Sequence, residues 1–242
     1  QRLLADRPVG GNQIMAMGAG GLLKEIPSRP QLRTGTAADV PKAPRIAAII
    51  LAAGQSRRMG PDNKLLAEID GKAMLARVVE AAKASQVVDI IAVTGHEADQ
   101  VKAMLARYTI PTVHNAKFAE GISTSLQVGV SALSENFDGM IVLLGDMPRI
   151  SANHIDRLIA AFSPVERRTI CVPTYQGKRG NPVLFGEKFF AEMMRVSGDS
   201  GAKYLIGEHE EELAEVPMED DGIFLDVDTP DALAEIRATD VE

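Results

Sequence analysis

The stretch from Ile46 to Lys64 constrains this chain most. Ile46–Leu51 is a short apolar run rich in isoleucine, the pattern of a strand buried on both faces. It runs into Leu51-Ala52-Ala53-Gly54, a small-residue turn where bare backbone N–H groups can approach an anion closely. Ser56 follows, and then Arg57, Arg58 and Lys64 put three cations on one short loop. Donors that hold oxygens, together with fixed positive charge, are what a triphosphate requires.

The loop differs from better-known glycine motifs. Five residues separate Gly54 from Gly60 and Pro61 follows, so neither the Walker A spacing nor Gly-x-Gly-x-x-Gly is present. A solvated basic turn is the bland alternative. Two arginines, a lysine and two glycines behind a strand favour phosphate binding.

Downstream, Ala73–Ser85 carries apolar residues at helical spacing (Met74, Leu75, Val78, Val79, Ala82). Val87–Val93 reads as a strand, Glu97–Arg107 as an amphipathic helix, and Thr112–His114 as a short strand. This alternation predicts right-handed crossovers and an α/β fold with a mostly parallel sheet. Gly139–Asp146 is a further buried strand, and its end delivers Asp146 ahead of Met147-Pro148. Ligands of open α/β sheets gather beyond the carboxyl ends of strands, so Asp146 and the Gly54 loop should face one crevice. A carboxylate beside a triphosphate needs a cation between them, which makes Asp146 a Mg²⁺ ligand. Ser151 caps the helix predicted over Ser151–Phe162.

Ile170–Pro173 and Pro182–Phe185 read as strands flanking a polar hairpin. Gly198–Lys203 opens a helix whose N–H groups could hold a phosphate. Glu208–Asp221 is densely acidic and reads as solvated surface. Phe224–Pro230 reads as a strand entering a helix capped by Thr229, with Pro230 at its first position. Asp226 and Asp228 then share one face of that strand, and either could be a second metal ligand.

Composition narrows the function classes. Residues 1–45 hold seven Lys/Arg against three Asp/Glu, leaving 19 against 30 in the remainder of a chain of net charge −7. An acidic body argues against general nucleic-acid binding. No apolar run approaches a membrane span. The single cysteine, Cys171, fits a reducing cytoplasm and reads as a buried structural thiol. The four histidines are too scattered for a metal site. Residues 1–44 are rich in Gly and Pro without a sustained period and begin at Gln1, which points to a linker or tail of an upstream domain. Residues 45–242 then form the main domain.

Leu-Ala-Ala-Gly-x-Ser-x-Arg-Met-Gly followed by Lys64 resembles the signature of nucleotidyltransferases with a Rossmann-like three-layer α/β/α fold. Within them, the chain looks most like the molybdenum cofactor cytidylyltransferases. The resemblance implies Mg²⁺-dependent transfer of CMP from CTP to the terminal phosphate of molybdopterin. A sugar-phosphate acceptor, or a non-catalytic binding module, stays as the alternative. By the same resemblance, Leu51, Ala52, Ala53, Gly54, Ser56, Arg57, Arg58 and Lys64 hold the nucleotide, with Lys64, Arg58 and Asp146 catalytic. The Gly-x-Ser-x-Ser-Leu element implies nucleotide contacts from Gly121, Ser123 and Ser125, which would otherwise read as helix caps. Gly-Asn-Pro and Gly-Asp-x-Gly-Ala imply acceptor contacts from Arg179, Gly180, Asn181, Asp199 and Gly201. Motif alignment selects Asp228 beside Asp146 as metal ligand. Gly20–Pro30 is similar to the end of molybdopterin-binding domains fused ahead of such transferases. The resemblance also leaves room for a molybdoenzyme or chaperone partner.

Overall fold

β1 (Ile46–Ala52) lies inside the sheet and pairs on both edges. The computed structural model describes residues 42–55, 63–134, 136–195, 197–198 and 202–239. Ser56, Arg57, Arg58, Asp199, Gly201 and residues 1–41 of the expected tail lie outside them. On one side of β1 stand β4 (Asp89–Thr94) and β5 (Thr112–His114), both parallel to it. On the other side β6 (Gly139–Leu144) is parallel, and β9 (Val183–Gly186) is antiparallel to β6. Beyond β9 come β7 (Ile170–Tyr175) and then β10 (Leu213–Pro217), which is parallel to β7. A short β8 (Lys178–Arg179) folds back on β7, and β2 (Glu68–Ile69) pairs with β3 (Lys72–Ala73) as a separate hairpin. The central sheet is therefore mostly parallel, as the strand–helix alternation predicts.

Strand alternation sorts the core into two layers. Ile46, Ala48, Ile50 and Ala52 face one cluster, with α1 (Met74–Ala84), α2 (Ala98–Ala106) and α4 (Ala152–Ala161). Ile49 faces the other, with α3 (Ile122–Ala132), α5 (Phe190–Met193) and α6 (Lys203–Glu208). Ile46, Ile49 and Ile50 are all 0% exposed, each contributing about 1.5–3 kcal/mol by burial. Cys171 is buried in the first of these clusters, and burial pushes its thiol up to about 12. Gly129 lets α3 approach closely, because a Cβ there would stand 2.6 Å from Ile49 Cγ2. A bulkier residue would lift α3, and with it the residues at its start.

Two readings of the C-terminal third need correction. Glu208–Asp221 is not simply acidic surface, for it contains β10, in which Ala214 and Val216 are buried while Glu215 is exposed. The period-two signal was present beneath the charge. Phe224–Asp228 is not a strand: its backbone donors are used elsewhere. The Asp226 N–H donates to Phe224 C=O at 3.1 Å and the Val227 N–H to Asp146 C=O at 3.1 Å, leaving no ladder. The helix after it, α7 (Pro230–Thr239), begins as expected, with Thr229 Oγ1 accepting from Ala232 N–H at 3.2 Å. Ser151 caps α4 in a reciprocal box with His154. Among the described residues, no helix is long and apolar enough to cross a membrane.

Candidate nucleotide and metal site

Leu51 lies opposite Val93 and Leu144, so β1, β4 and β6 end together at one edge of the sheet. Asp146 leaves β6 in a tight turn. The Gly145 N–H donates to Leu51 C=O at 3.0 Å, and a Cβ on Gly145 would meet that same oxygen at 3.0 Å. The glycine thus lets the turn cross the end of β1 and aims Asp146 into the cleft.

Lys64 opens a 3₁₀ turn, Lys64–Leu66, that is fixed at both ends of its short length. Asn63 Oδ1 accepts from Leu65 N–H at 3.0 Å, and Leu65 is buried in the core. Asp228 follows Val227, whose side chain is 0% exposed and whose N–H is bound to Asp146 C=O. Three separate segments therefore converge. Lys64 Nζ donates to Asp146 Oδ2 and to Asp228 Oδ1, each at 2.6 Å. Burial alone would lower the Lys64 pKa, but the charges and hydrogen bonds of Asp146 and Asp228 outweigh it and hold the pKa above its ordinary value. Lys64 is thus a cation at neutral pH.

The cluster lines a cleft of about 430 Å³, along with Ala53, Gly54, Gly121 and Ser125. Around Gly54, a Cβ would meet nothing within 4 Å among the described residues, and its φ is not left-handed. A second cavity of about 390 Å³ adjoins the first and shares Leu51, Ile122 and Leu144 with it. It is mainly apolar, with Val142, Phe185, Ile206 and Ile223 in its walls, and with Arg179, Gly180, Asn181 and Asp226.

The predicted residues divide as follows. Leu51, Ala53, Gly54, Lys64, Gly121, Ser125, Asp146 and Asp228 share the first cleft. Ala52 does not, because strand alternation turns it into the core, where it is 1% exposed. Neither serine caps α3, whose N-cap Gly121 makes no side-chain bond. Ser123 is 1% exposed and its hydroxyl donates to Gly198 C=O, whereas Ser125 Oγ accepts from Asn115 Nδ2 at 3.0 Å. Asp226 and Asp228 line different cavities, so a shared strand face does not describe them. Arg179 pairs with Glu215 at 2.7 Å on the rim of the second cavity. Gln55, Phe118 and Ala119 also line the first cleft and escaped the sequence reading. An aromatic residue just ahead of Gly121 was the available signal for Phe118.

The donor set suits a hard divalent cation: carboxylate oxygens, partly exposed. Among the described residues no group of three or more His, Cys, Asp or Glu gathers, so substrate oxygens would have to complete the coordination.

The chain is similar to known proteins in sequence and in fold. The purine catabolism protein PucB of Bacillus subtilis (strain 168) is 29% identical over 205 residues, covering 81% of this chain and 98% of that protein. The crystal structure of a Mycobacterium tuberculosis Rv0371c homolog from Mycobacterium sp. strain JC1 superposes with a TM-score of 0.72 at 27% identity, covering 81% of this chain and 97% of that one. Rv0371C of Mycobacterium tuberculosis H37Rv, solved in complex with manganese, gives 0.69 at 25% identity, covering 81% and 99%. The profile of the MobA-like NTP transferase domain matches residues 48–213, more than half of the sequence. This chain belongs to the MobA-like NTP transferase domain family, and it is a nucleotidyltransferase.

Proposed function

We propose that this enzyme transfers CMP from CTP to the terminal phosphate of molybdopterin, releasing pyrophosphate. The observation that carries the reaction class is the convergence of Gly54, Lys64, Asp146 and Asp228 on one cleft beyond the ends of β1 and β6. A phosphate oxygen of the acceptor attacks the α-phosphorus in line and pyrophosphate leaves, which demands positioning and charge neutralisation rather than a covalent protein group. Backbone N–H groups at Ala53–Gly54 cradle the triphosphate, and Lys64 supplies a fixed cation, joined by Arg57 and Arg58 of the same loop. Asp146 and Asp228 would hold Mg²⁺, which would supply neutralisation of charge on the phosphate oxygens. A manganese complex of a family relative supports a divalent cation at this fold.

The reading includes a preference for a pyrimidine base. Ala53 lines the cleft, with its methyl turned towards Gly95, while Ala52 has no part in it. Asn115 donates to Ser125 Oγ, which directs the Ser125 proton elsewhere and suits donation to a base carbonyl. The acceptor occupies the adjoining cavity, where an apolar wall and the Arg179–Asn181 edge fit a heterocycle better than a bare sugar phosphate. Asp199 and Gly201 would meet the acceptor phosphate. Our reading sets the transferase domain at 45–242; the family match over residues 48–213 supports its beginning.

The deciding experiment incubates the protein with Mg²⁺, molybdopterin and each of CTP, GTP, ATP and UTP, following pyrophosphate and product mass. The expected product is the cytosine dinucleotide. A clear preference for GTP overturns the nucleotide assignment, and transfer to a sugar phosphate but not to molybdopterin overturns the acceptor.

A further inference from the structure

Lys64 occupies the place between the two carboxylates to which the metal has been assigned. Both carboxylate oxygens stand 2.6 Å from one nitrogen, so they are at most twice that distance apart. An Mg²⁺ ion ligating both at about 2.0–2.1 Å would be drawn into the space of the ammonium itself. A monovalent and a divalent cation at such range repel strongly, most of all in a partly buried site. Lys64 is 8% exposed, so its stem is held, and the ammonium has few places to go. One such place lies beside Gly54, which lines the same cleft: a triphosphate there would offer oxygens to the ammonium.

We propose that Lys64 is the resident cation of the Asp146–Asp228 pair, and that it yields the position only when a nucleotide triphosphate draws its ammonium away. This rests on Asp146 and Asp228 being the metal ligands. The free enzyme then already carries one positive charge against the two carboxylates and holds divalent metal weakly. Nucleotide and metal enter together, because each makes room for the other: the phosphates accept the lysine, and the vacated carboxylates accept the metal. Lys64 thereby serves twice, first as a stand-in that keeps two carboxylates together and then as a phosphate ligand.

The test reads metal binding and thermal unfolding, not turnover. Mn²⁺ affinity is measured from the paramagnetic resonance of the free ion, for the wild type, Lys64→Met, Lys64→Arg and Asp146→Asn, each without nucleotide. Lys64→Met should bind Mn²⁺ at least about tenfold tighter than wild type, since one adjacent buried charge has gone. Its Tm should be lower without metal and should recover with Mn²⁺, while the wild-type Tm barely moves. Lys64→Arg, which keeps the charge, should bind as weakly as wild type. If Lys64→Met does not fold, Lys64→Gln carries the same comparison. Adding the α,β-methylene analogue of CTP should raise wild-type Mn²⁺ affinity beyond what the analogue chelates alone, and should raise that of Lys64→Met less. A Lys64 variant that gains no more from Mn²⁺ than wild type, with binding still lost in Asp146→Asn, overturns the proposal and leaves the metal ligands standing. Mn²⁺ binding that never depends on Asp146 removes the metal ligands and the proposal together.

Discussion

Gly54 and Gly180 stand in the two adjoining cavities, and they are small for opposite reasons. A Cβ on Gly54 would meet nothing within 4 Å among the described residues. A Cβ on Gly180 would lie 2.5 Å from Ile223 C=O and 2.9 Å from its side chain. Gly180 is compressed by the chain itself, since its N–H donates to Pro173 C=O and the next N–H, of Asn181, to Ile223 C=O. The first glycine leaves room for a ligand and the second leaves room for the protein. The nucleotide cleft is correspondingly a place where charge is arranged around open backbone. The second cavity is a place where packing sets a shape.

That contrast can be broken by substitution. The largest effect expected is at the charged cleft: Asp146→Ala should lower turnover about 10²–10³-fold, on the scale of losing one preorganised electrostatic group, without unfolding the protein. Pyrophosphate release near the wild-type rate, from protein with a wild-type Tm, would show that Asp146 has no part in the chemistry. Next comes Gly180→Val, which should destabilise the fold by about 1–3 kcal/mol, as overpacking does. Denaturant unfolding measures this, and an unchanged midpoint would mean that the Ile223 segment moves aside freely. Gly54→Ala should leave stability within about 0.5 kcal/mol of wild type. It should weaken nucleotide binding about tenfold, or roughly 1.4 kcal/mol, and titration calorimetry with CTP reads the change. If that variant loses stability instead, the openness around Gly54 does not describe the protein. The smallest signal is alkylation of Cys171, whose thiol, pushed up to about 12 by burial, stays protonated at pH 8. Iodoacetamide should label it at the unfolding rate in wild type and Gly54→Ala, and faster in Gly180→Val, because β7 carries both Cys171 and the Pro173 carbonyl.

The first half of the chain was open to reading because its signals are local. Apolar runs gave β1, β4 and β6, and helical spacing at Met74–Ala82 and Val101–Leu105 gave α1 and α2. Placing Asp146 at a strand end was enough to bring it into the cleft. The double contact of Lys64 was hidden, since its partners are 82 and 164 residues away and nothing local announces them. Acidic residues masked β10, whose inward Ala214 and Val216 alternate beneath them. The segment at Phe224–Asp228 misled for the opposite reason. Alternating Leu225 and Val227 looked like a strand, but Val227 is buried against α7 while its N–H serves Asp146. Ser123 and Ser125 looked equivalent by sequence. Helical rotation gave one to Gly198 and the other to the cleft.

Val227 also ties the fate of the site to a part of the molecule that never touches it. Its side chain is sealed among Ile69, Met74, Leu233 and Ile236, so α7 and the β2–β3 hairpin act as a lock on the spacing between Asp146 and Asp228. Arg237 Nε reinforces the closure by donating to Glu68 C=O at 2.8 Å. In engineering terms α7 is structural hardware for the reaction centre. Domain grafts that exchange this helix must carry the β2–β3 hairpin with it, or the two carboxylates will drift apart while the sheet beneath stays whole.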